Sequence, residues 1–217
     1  MAAEVKTIWA TPNGDALIGR LARVSNPANQ DNPDTSKLIG YLLRNQHWSP
    51  FEMVSMCVEI NTTRDIGRQV LRHRSFSFQE LSQRYQDVGV LGDEPVLREC
   101  RLQDTKNRQN SLPSVLPELD ETWEQWQRDV WYSSSARYKA ALANGIAKEQ
   151  ARALLPEGLT PTRMYMAGTL RSWLHYIDLR SDEATQKEHR EVALLCRNEV
   201  REQFPQVHAA MWPELQQ

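Results

Sequence analysis

Met53-Val54-Ser55-Met56-Cys57-Val58-Glu59-Ile60 alternates apolar residues with small or polar ones. Val54, Met56, Val58 and Ile60 fall on one side, the pattern of a half-buried strand. The period changes immediately afterwards. Asn61 or Thr62 is expected to cap a helix that runs to about Arg74, with Ile66, Val70 and Leu71 inward. Its other faces carry Arg64, Arg68, Gln69, Arg72 and His73, and residues four apart share a face. A strand that passes directly into a helix of this kind delivers a polar set to whatever follows it.

Working outward, Val5–Trp9 reads as a short strand and 25–34 as a loop of turn formers. Thr35–Asn45 has helical spacing through Leu38, Ile39, Leu42 and Leu43, and His47–Glu52 is a connection broken by proline. Downstream, 86–117 is irregular. Pro117 suits the first turn of a long helix to about Asn144, stopped by Gly145, with Trp123, Trp126, Val130 and Tyr138 as its core face. Gln150–Leu155 reads as a short helix ended by Pro156, Arg163–Ala167 as a strand, and Thr169 or Leu170 as the start of a helix through Leu179. Ser181 is expected to cap a last helix from Asp182 to Phe204, with Val192, Leu195 and Val200 inward and Glu183, Lys187 and Glu191 outward. His189 and His208 are expected at the surface. The sum is an α+β chain: long helices packed on a small, mostly antiparallel sheet, in one domain spanning 1–217. It lacks the regular strand–helix alternation of a doubly wound sheet.

The 217 residues carry a net charge of −2, which argues against a general nucleic-acid binder. Cys57, Cys100 and Cys196 are an odd set without paired spacing, which fits a reducing compartment and no disulfide framework. The start, Met1 to Lys6, has no apolar signal core, and no apolar run approaches the length of a bilayer span. The expectation is a soluble, cytoplasmic protein with no membrane partner. The five histidines are scattered and no H-E-x-x-H occurs, so no metal site is expected.

Residues 72–85 hold the densest binding chemistry: Arg72-His73-Arg74-Ser75-Phe76-Ser77-Phe78-Gln79-Glu80-Leu81-Ser82-Gln83-Arg84-Tyr85. The arginines offer rigid forks of donors suited to phosphate oxygens. Glu80 can accept from a ribose hydroxyl or an imide N–H, and Ser82 and Gln83 both give and take hydrogen bonds. The ligand called for is anionic, planar and hydrogen-bonding, as a nucleotide is. Neither G-x-G-x-x-G nor a P-loop is present, so side chains must hold its phosphates.

Arg72-His73-Arg74, seven residues, then Ser82 resembles the signature of the flavin-dependent thymidylate synthases. Other segments match in order. His47-Trp48-Ser49-Pro50-Phe51-Glu52 is similar to the family's His-x-x-Pro-Phe-Glu, and Arg68-Gln69 to its Arg-Gln. Ala151-Arg152 with Leu155-Pro156 resembles Ala-Arg-x-x-Leu-Pro, and Arg171–Tyr176 with Leu179-Arg180 resembles its C-terminal cofactor and substrate helix. The chain departs at Gln79 and Thr169, where the family has Asn, and at Met53, where many members have His.

The resemblance implies methylation of dUMP to dTMP with FAD, NADPH or another reduced nicotinamide, and methylenetetrahydrofolate. It implies a homotetramer whose active sites combine residues of several subunits. On this reading His47, Ser49, Arg72, His73, Arg74, Glu80, Thr169, Leu170, Arg171 and His175 form the flavin set, Ser49 reaching across a subunit boundary. Gln69, Val70, Leu71, Arg72, Glu80, Leu81, Ser82, Gln83, Arg84, Arg152 and Arg180 form the dUMP set. Arg180 is the expected catalytic residue. Flanking arginines are expected to keep His73 neutral, and no cysteine nucleophile is required.

Two rival readings use the same residues. An RNA- or single-strand-binding module would interleave the arginines with Phe76, Phe78 and Tyr85 as stacking platforms, but it leaves Arg152 and Arg180 unexplained. A relative that binds flavin and nucleotide without turnover is separated by replacing Arg180. Without the resemblance, the arginines of 64–72 read as a solvated face, the tryptophans as core or interface, and Glu80 as a partner of Arg84.

Overall fold

The computed structural model describes residues 3–216. Met1 and Ala2, part of the leader reading, lie outside that range. In chain order the elements are β1 (Glu4–Ala10), α1 (Gly14–Ala22), α2 (Ser36–Arg44), α3 (Ser49–Glu52), β2 (Ser55–Thr63), α4 (Arg64–Val70) and β3 (Ser77–Glu80). There follow β4 (Arg101–Gln103), β5 (Ser111–Pro113), α5 (Pro117–Ala143), α6 (Lys148–Ala151), β6 (Pro161–Thr169), α7 (Leu170–Arg180), α8 (Lys187–Gln203) and α9 (Pro205–Met211). A four-stranded sheet of order β1-β2-β6-β3 carries the helices, and β4 and β5 make a separate hairpin. Every strand pairing described is antiparallel. The fold is therefore α+β, with long helices on a small antiparallel sheet.

The alternation read in 53–60 works as expected. Val54, Met56, Val58 and Ile60 are all fully buried, and they meet Met164 and Met166 of β6 in the main core. β2 runs on to Thr63, so the helix cap is Thr63 rather than Asn61 or Thr62. β6 pairs β2 along its whole length and β3 on its other side, with Glu80 opposite Met164.

Several segments differ from the sequence reading, among them 49–52 and 205–211, which form α3 and α9. Residues 14–22, unassigned there, form α1, whose Ile18 is buried. The helix read to about Arg74 ends at Val70, and residues 77–80, unassigned there, form an edge strand. Part of 86–117 folds as the β4–β5 hairpin. Ser181 closes α7 by donating its hydroxyl to the Ile177 carbonyl at 2.6 Å, and α8 starts only at Lys187. Lys187 and Glu191 still pair at 3.9 Å, while Glu183 lies ahead of the helix. Val192 and Val200 are buried as expected, and Leu195 is half-buried.

On α5, Trp131 and Tyr138 are buried, but Trp126 is 57% and Val130 49% exposed. The 93–98 loop covers one side of the helix: Trp131 Nε1 donates to the Asp93 carbonyl at 2.8 Å and Trp123 Nε1 to the Arg98 carbonyl at 3.0 Å. The Trp126–Val130 side has no such cover and, with Pro156 and Leu159, lines an apolar cleft of about 370 Å³. Helical spacing names an apolar face but not what covers it.

β6 must let the 72–82 segment pass close above it. A Cβ on Gly168 would stand 2.5 Å from Cδ1 of Phe76. Phe76 is itself packed edge-on against Trp173 at 4.8 Å. Gly168→Ala is therefore expected to lose about 1–3 kcal/mol, the usual cost of overpacking. Urea denaturation checks this, and an unchanged midpoint would mean that Phe76 moves aside freely.

Candidate active site

α4 ends at Val70 because Phe76 must reach the core between Trp173 and Tyr176. The chain leaves through two tight turns, His73 N–H to the Val70 carbonyl at 3.1 Å and Phe76 N–H to the His73 carbonyl at 3.3 Å. The turns split the polar set of α4 and its exit into two groups. Gln69 and His73 face α7 and α8, whereas Arg64 and Arg68 face the opposite cleft.

In the first group, Arg180 Nε donates to His73 Nε2 at 3.0 Å. His73 is thus an acceptor at that nitrogen and carries its proton on Nδ1. Its pKa is lowered from 6.5 to about 4, first by burial, then by Arg180 and Arg72. The flanking Arg72 was legible in the sequence; the larger cause, burial, was not. His73 lies edge-on to Tyr176 at 4.8 Å. Behind it His189, expected at the surface, is fully buried, with Nδ1 at 3.2 Å from Gln69 Oε1. Its pKa is also lowered to about 4, by burial, then by Arg180 and His73. His208 is buried too, beside Trp212.

These histidines make stability pH-dependent. An unfolded imidazole takes a proton near 6.5, whereas His73 and His189 take one only near 4. Between those values the unfolded chain holds more protons, so acid favours unfolding. The urea midpoint is expected to fall as pH drops from about 6.5 towards 4 and to level off below. His189→Leu is expected to make that slope shallower; the same slope in both proteins would remove His189 from the account.

The second group lines a polar cleft of about 570 Å³ whose walls include Arg64, Arg68, Gln83, Arg152, Leu155 and Thr160. Gln83 is buried, and among the described residues its Nε2 has no hydrogen-bond partner. Arg68 is paired with Glu157, and Arg84 lies 3.3 Å from Glu149, both pairs being exposed. Glu80 does not pair with Arg84. Its Oε1 accepts from the Thr162 hydroxyl at 2.7 Å and lies 3.4 Å from Arg64. Leu81 N–H is spent on the Arg163 carbonyl, and Ser82 opens the turn that carries Arg84. Arg180 is not in the lining of this cleft; the two groups are linked through neighbouring residues of α4.

A third group gathers the remaining flavin residues. His175 meets Trp48 at 4.4 Å between ring centres, and Arg171 pairs with Glu52. Exposed Ser49 begins α3, and exposed His47 lies edge-on to Tyr41 at 5.8 Å. Thr169 caps α7 by accepting from Ser172 N–H at 3.3 Å. Asn caps as well as Thr, so the departure from the family at this position preserves the cap. Arg72 and Arg74 are exposed, and among the described residues neither has a carboxylate partner within 4 Å. The side chains of Leu170 and Val70 are fully buried in the core, so neither side chain faces a ligand. Leu71 is half-buried against the same core.

A neutral histidine holding an arginine on one side of α4, and an arginine-walled cleft on the other, offer donors suited to a nucleotide. The comparisons make this specific. The family model described as Thymidylate synthase complementing protein matches residues 6–206. The flavin-dependent thymidylate synthase of Synechocystis is 51% identical over 91% of this chain and 89% of its own. A probable flavin-dependent thymidylate synthase of Paramecium bursaria Chlorella virus 1 is 48% identical over 91% and 90%. A crystal structure of the UMP/dUMP methylase PolB from Streptomyces cacaoi, bound with 5-Br dUMP, superposes with a TM-score of 0.84 at 27% identity, covering 97% of this chain and 95% of that one. The chain belongs to the flavin-dependent thymidylate synthase family, whose members are methyltransferases of dTMP biosynthesis.

Among the described residues no helix is long and apolar enough to cross a membrane.

Proposed function

We propose that this chain methylates dUMP to dTMP with methylenetetrahydrofolate as one-carbon donor, FAD as resident flavin and NADPH as reductant. The observation that carries the substrate reading is the partnerless, buried Gln83 amide in a cleft walled by Arg64, Arg68 and Arg152. A donor left unpaired in the protein fits a ligand oxygen, and the guanidinium groups fit a phosphate. Ser82, Gln83, Arg84 and Arg152 would hold the nucleotide phosphate, with Glu80 and Gln69 on the nucleoside side.

The donor set also fits FAD. Arg72 and Arg74 present unpaired guanidinium groups, and the Trp48–His175 pair offers ring faces beside Ser49, Thr169 and Arg171. A flavin held by these residues would supply the redox chemistry of the methyl transfer. The protein's own work is placement and electrostatics. The pyrimidine gains negative charge as its methyl-accepting carbon becomes nucleophilic. Arg180, held at Nε by neutral His73, keeps its terminal nitrogens for that charge without reorganising. A protonated His73 would repel Arg180 and lose the lone pair that holds it, so its depressed pKa keeps the pair intact at neutral pH.

A homotetramer with shared sites is supported by the open Trp126–Val130 side of α5, since a second copy would cover apolar surface that the chain leaves exposed. A single domain over 1–217 and a cytoplasmic location complete the reading; the latter is supported by three free cysteines.

The visible absorption spectrum of the purified protein tests the proposal. An oxidised flavin band is expected, bleaching faster with NADPH when dUMP is present. No band after FAD is added would remove the redox reading and return the arginines to nucleic-acid binding.

A further inference from the structure

We infer that His189 and Gln186 are positioning residues that lock the Gln69 carboxamide as a hydrogen-bond donor towards a carbonyl oxygen of the bound pyrimidine. This rests on the reading of Gln69 as a dUMP residue. Glu188 lies 3.2 Å from Arg98 in a partly buried pair and accepts from Gln186 Nε2 at 2.8 Å. A carboxylate only accepts, so it fixes which end of the Gln186 amide faces it. Gln186 Oε1 is thereby turned to Gln69, whose Nε2 donates to it at 2.7 Å. Gln69 Oε1 is then turned to His189 Nδ1 at 3.2 Å, which must carry the proton. Both ends of the Gln69 amide are committed, and its polarity is set by a relay of acceptors and donors rather than by the ligand. What remains free on Gln69 is the second N–H of its amide, a donor suited to a carbonyl.

The histidine itself is the observation that a purely structural account does not explain. His189 is fully buried on α8 beside Val192 and Ala193, and its Nε2 has no hydrogen-bond partner. An aliphatic side chain would fill that space without burying a bare acceptor. That cost is offset where its other nitrogen holds Gln69. The neighbouring rings of Tyr176, at 5.9 Å, and His73, at 6.1 Å, leave it no second partner.

Calorimetric titration of dUMP into the purified holoenzyme tests this, using His189→Leu, Gln186→Ala and Gln69→Ala, alone and combined. Gln186 is exposed, so its variant keeps the test valid if the buried leucine impairs folding. His189→Leu is expected to weaken dUMP about five- to tenfold and Gln186→Ala about two- to fivefold, the scale of one misdirected hydrogen bond. Neither is expected to weaken it further in the Gln69→Ala background. His189→Asn, whose amide nitrogen can stand in for Nδ1, is expected to restore most of the affinity. Equal losses with and without Gln69, or no loss from His189→Leu and Gln186→Ala while Gln69→Ala weakens dUMP, would overturn the positioning role. If Gln69→Ala itself leaves dUMP binding unchanged, the placement of Gln69 at the nucleotide is wrong and the inference falls with it.

Discussion

Arg180→Ala is expected to lower kcat by roughly 10²–10³-fold, the range seen when one preorganised donor is removed from a developing negative charge. The loss should be confined to turnover. Arg180 belongs to the proposed dUMP set, whereas Arg72, Arg74 and the Trp48–His175 pair belong to the proposed flavin site, so the flavin absorption band should survive. Arg180→Lys makes the test sharper. It keeps a positive charge but cannot reproduce a planar fork held at Nε by His73 Nε2. An intermediate rate for lysine would show that orientation matters beyond charge. Turnover unchanged in Arg180→Ala would refute the catalytic role and leave a chain that binds its ligands for some other purpose.

The second large effect is expected at Arg152. Its side chain is exposed at the cleft, and its Nε–H donates to the Glu149 carbonyl at 3.2 Å, which aims the guanidinium without neutralising it. A hydrogen bond to a charged group contributes about 1.5–3 kcal/mol, so Arg152→Ala should weaken dUMP by roughly 10- to 100-fold. Deoxyuridine, which has no phosphate, separates the causes. Its affinity should hardly change if Arg152 holds the phosphate. If deoxyuridine and dUMP weaken in parallel, Arg152 shapes the cleft rather than binding the phosphate.

The sequence was most legible where local chemistry and tertiary position agree. The 53–60 alternation, the proline that starts α5 and the start of α7 at Thr169 or Leu170 each describe a choice the backbone makes within a few residues. The ordered motifs from His47 to Arg180 were legible for another reason: charged and hydrogen-bonding side chains stand in the sequence whether or not their neighbours are known. Legibility failed where a distant partner decides. Residues 71–74 read as the end of the helix, yet Phe76 is drawn into the core by Trp173, nearly a hundred positions later, and α4 stops at Val70. The same pull frees 77–80 to pair with β6. Glu80 has a helix-spaced Arg84 in sequence, but β3 places it beside Thr162 and Arg64 instead.

By itself, then, the sequence determined the α+β class, the strand that centres the core and the family that the motifs mark. Only the tertiary structure decided that His73 is half-buried and spent on Arg180, that His189 stands behind Gln69, and that Val70 and Leu170 are core. The physical reason is that residue type and spacing fix local geometry and chemical capacity. Burial and hydrogen-bond partnership are set by groups far along the chain, and these settle which capacity is used.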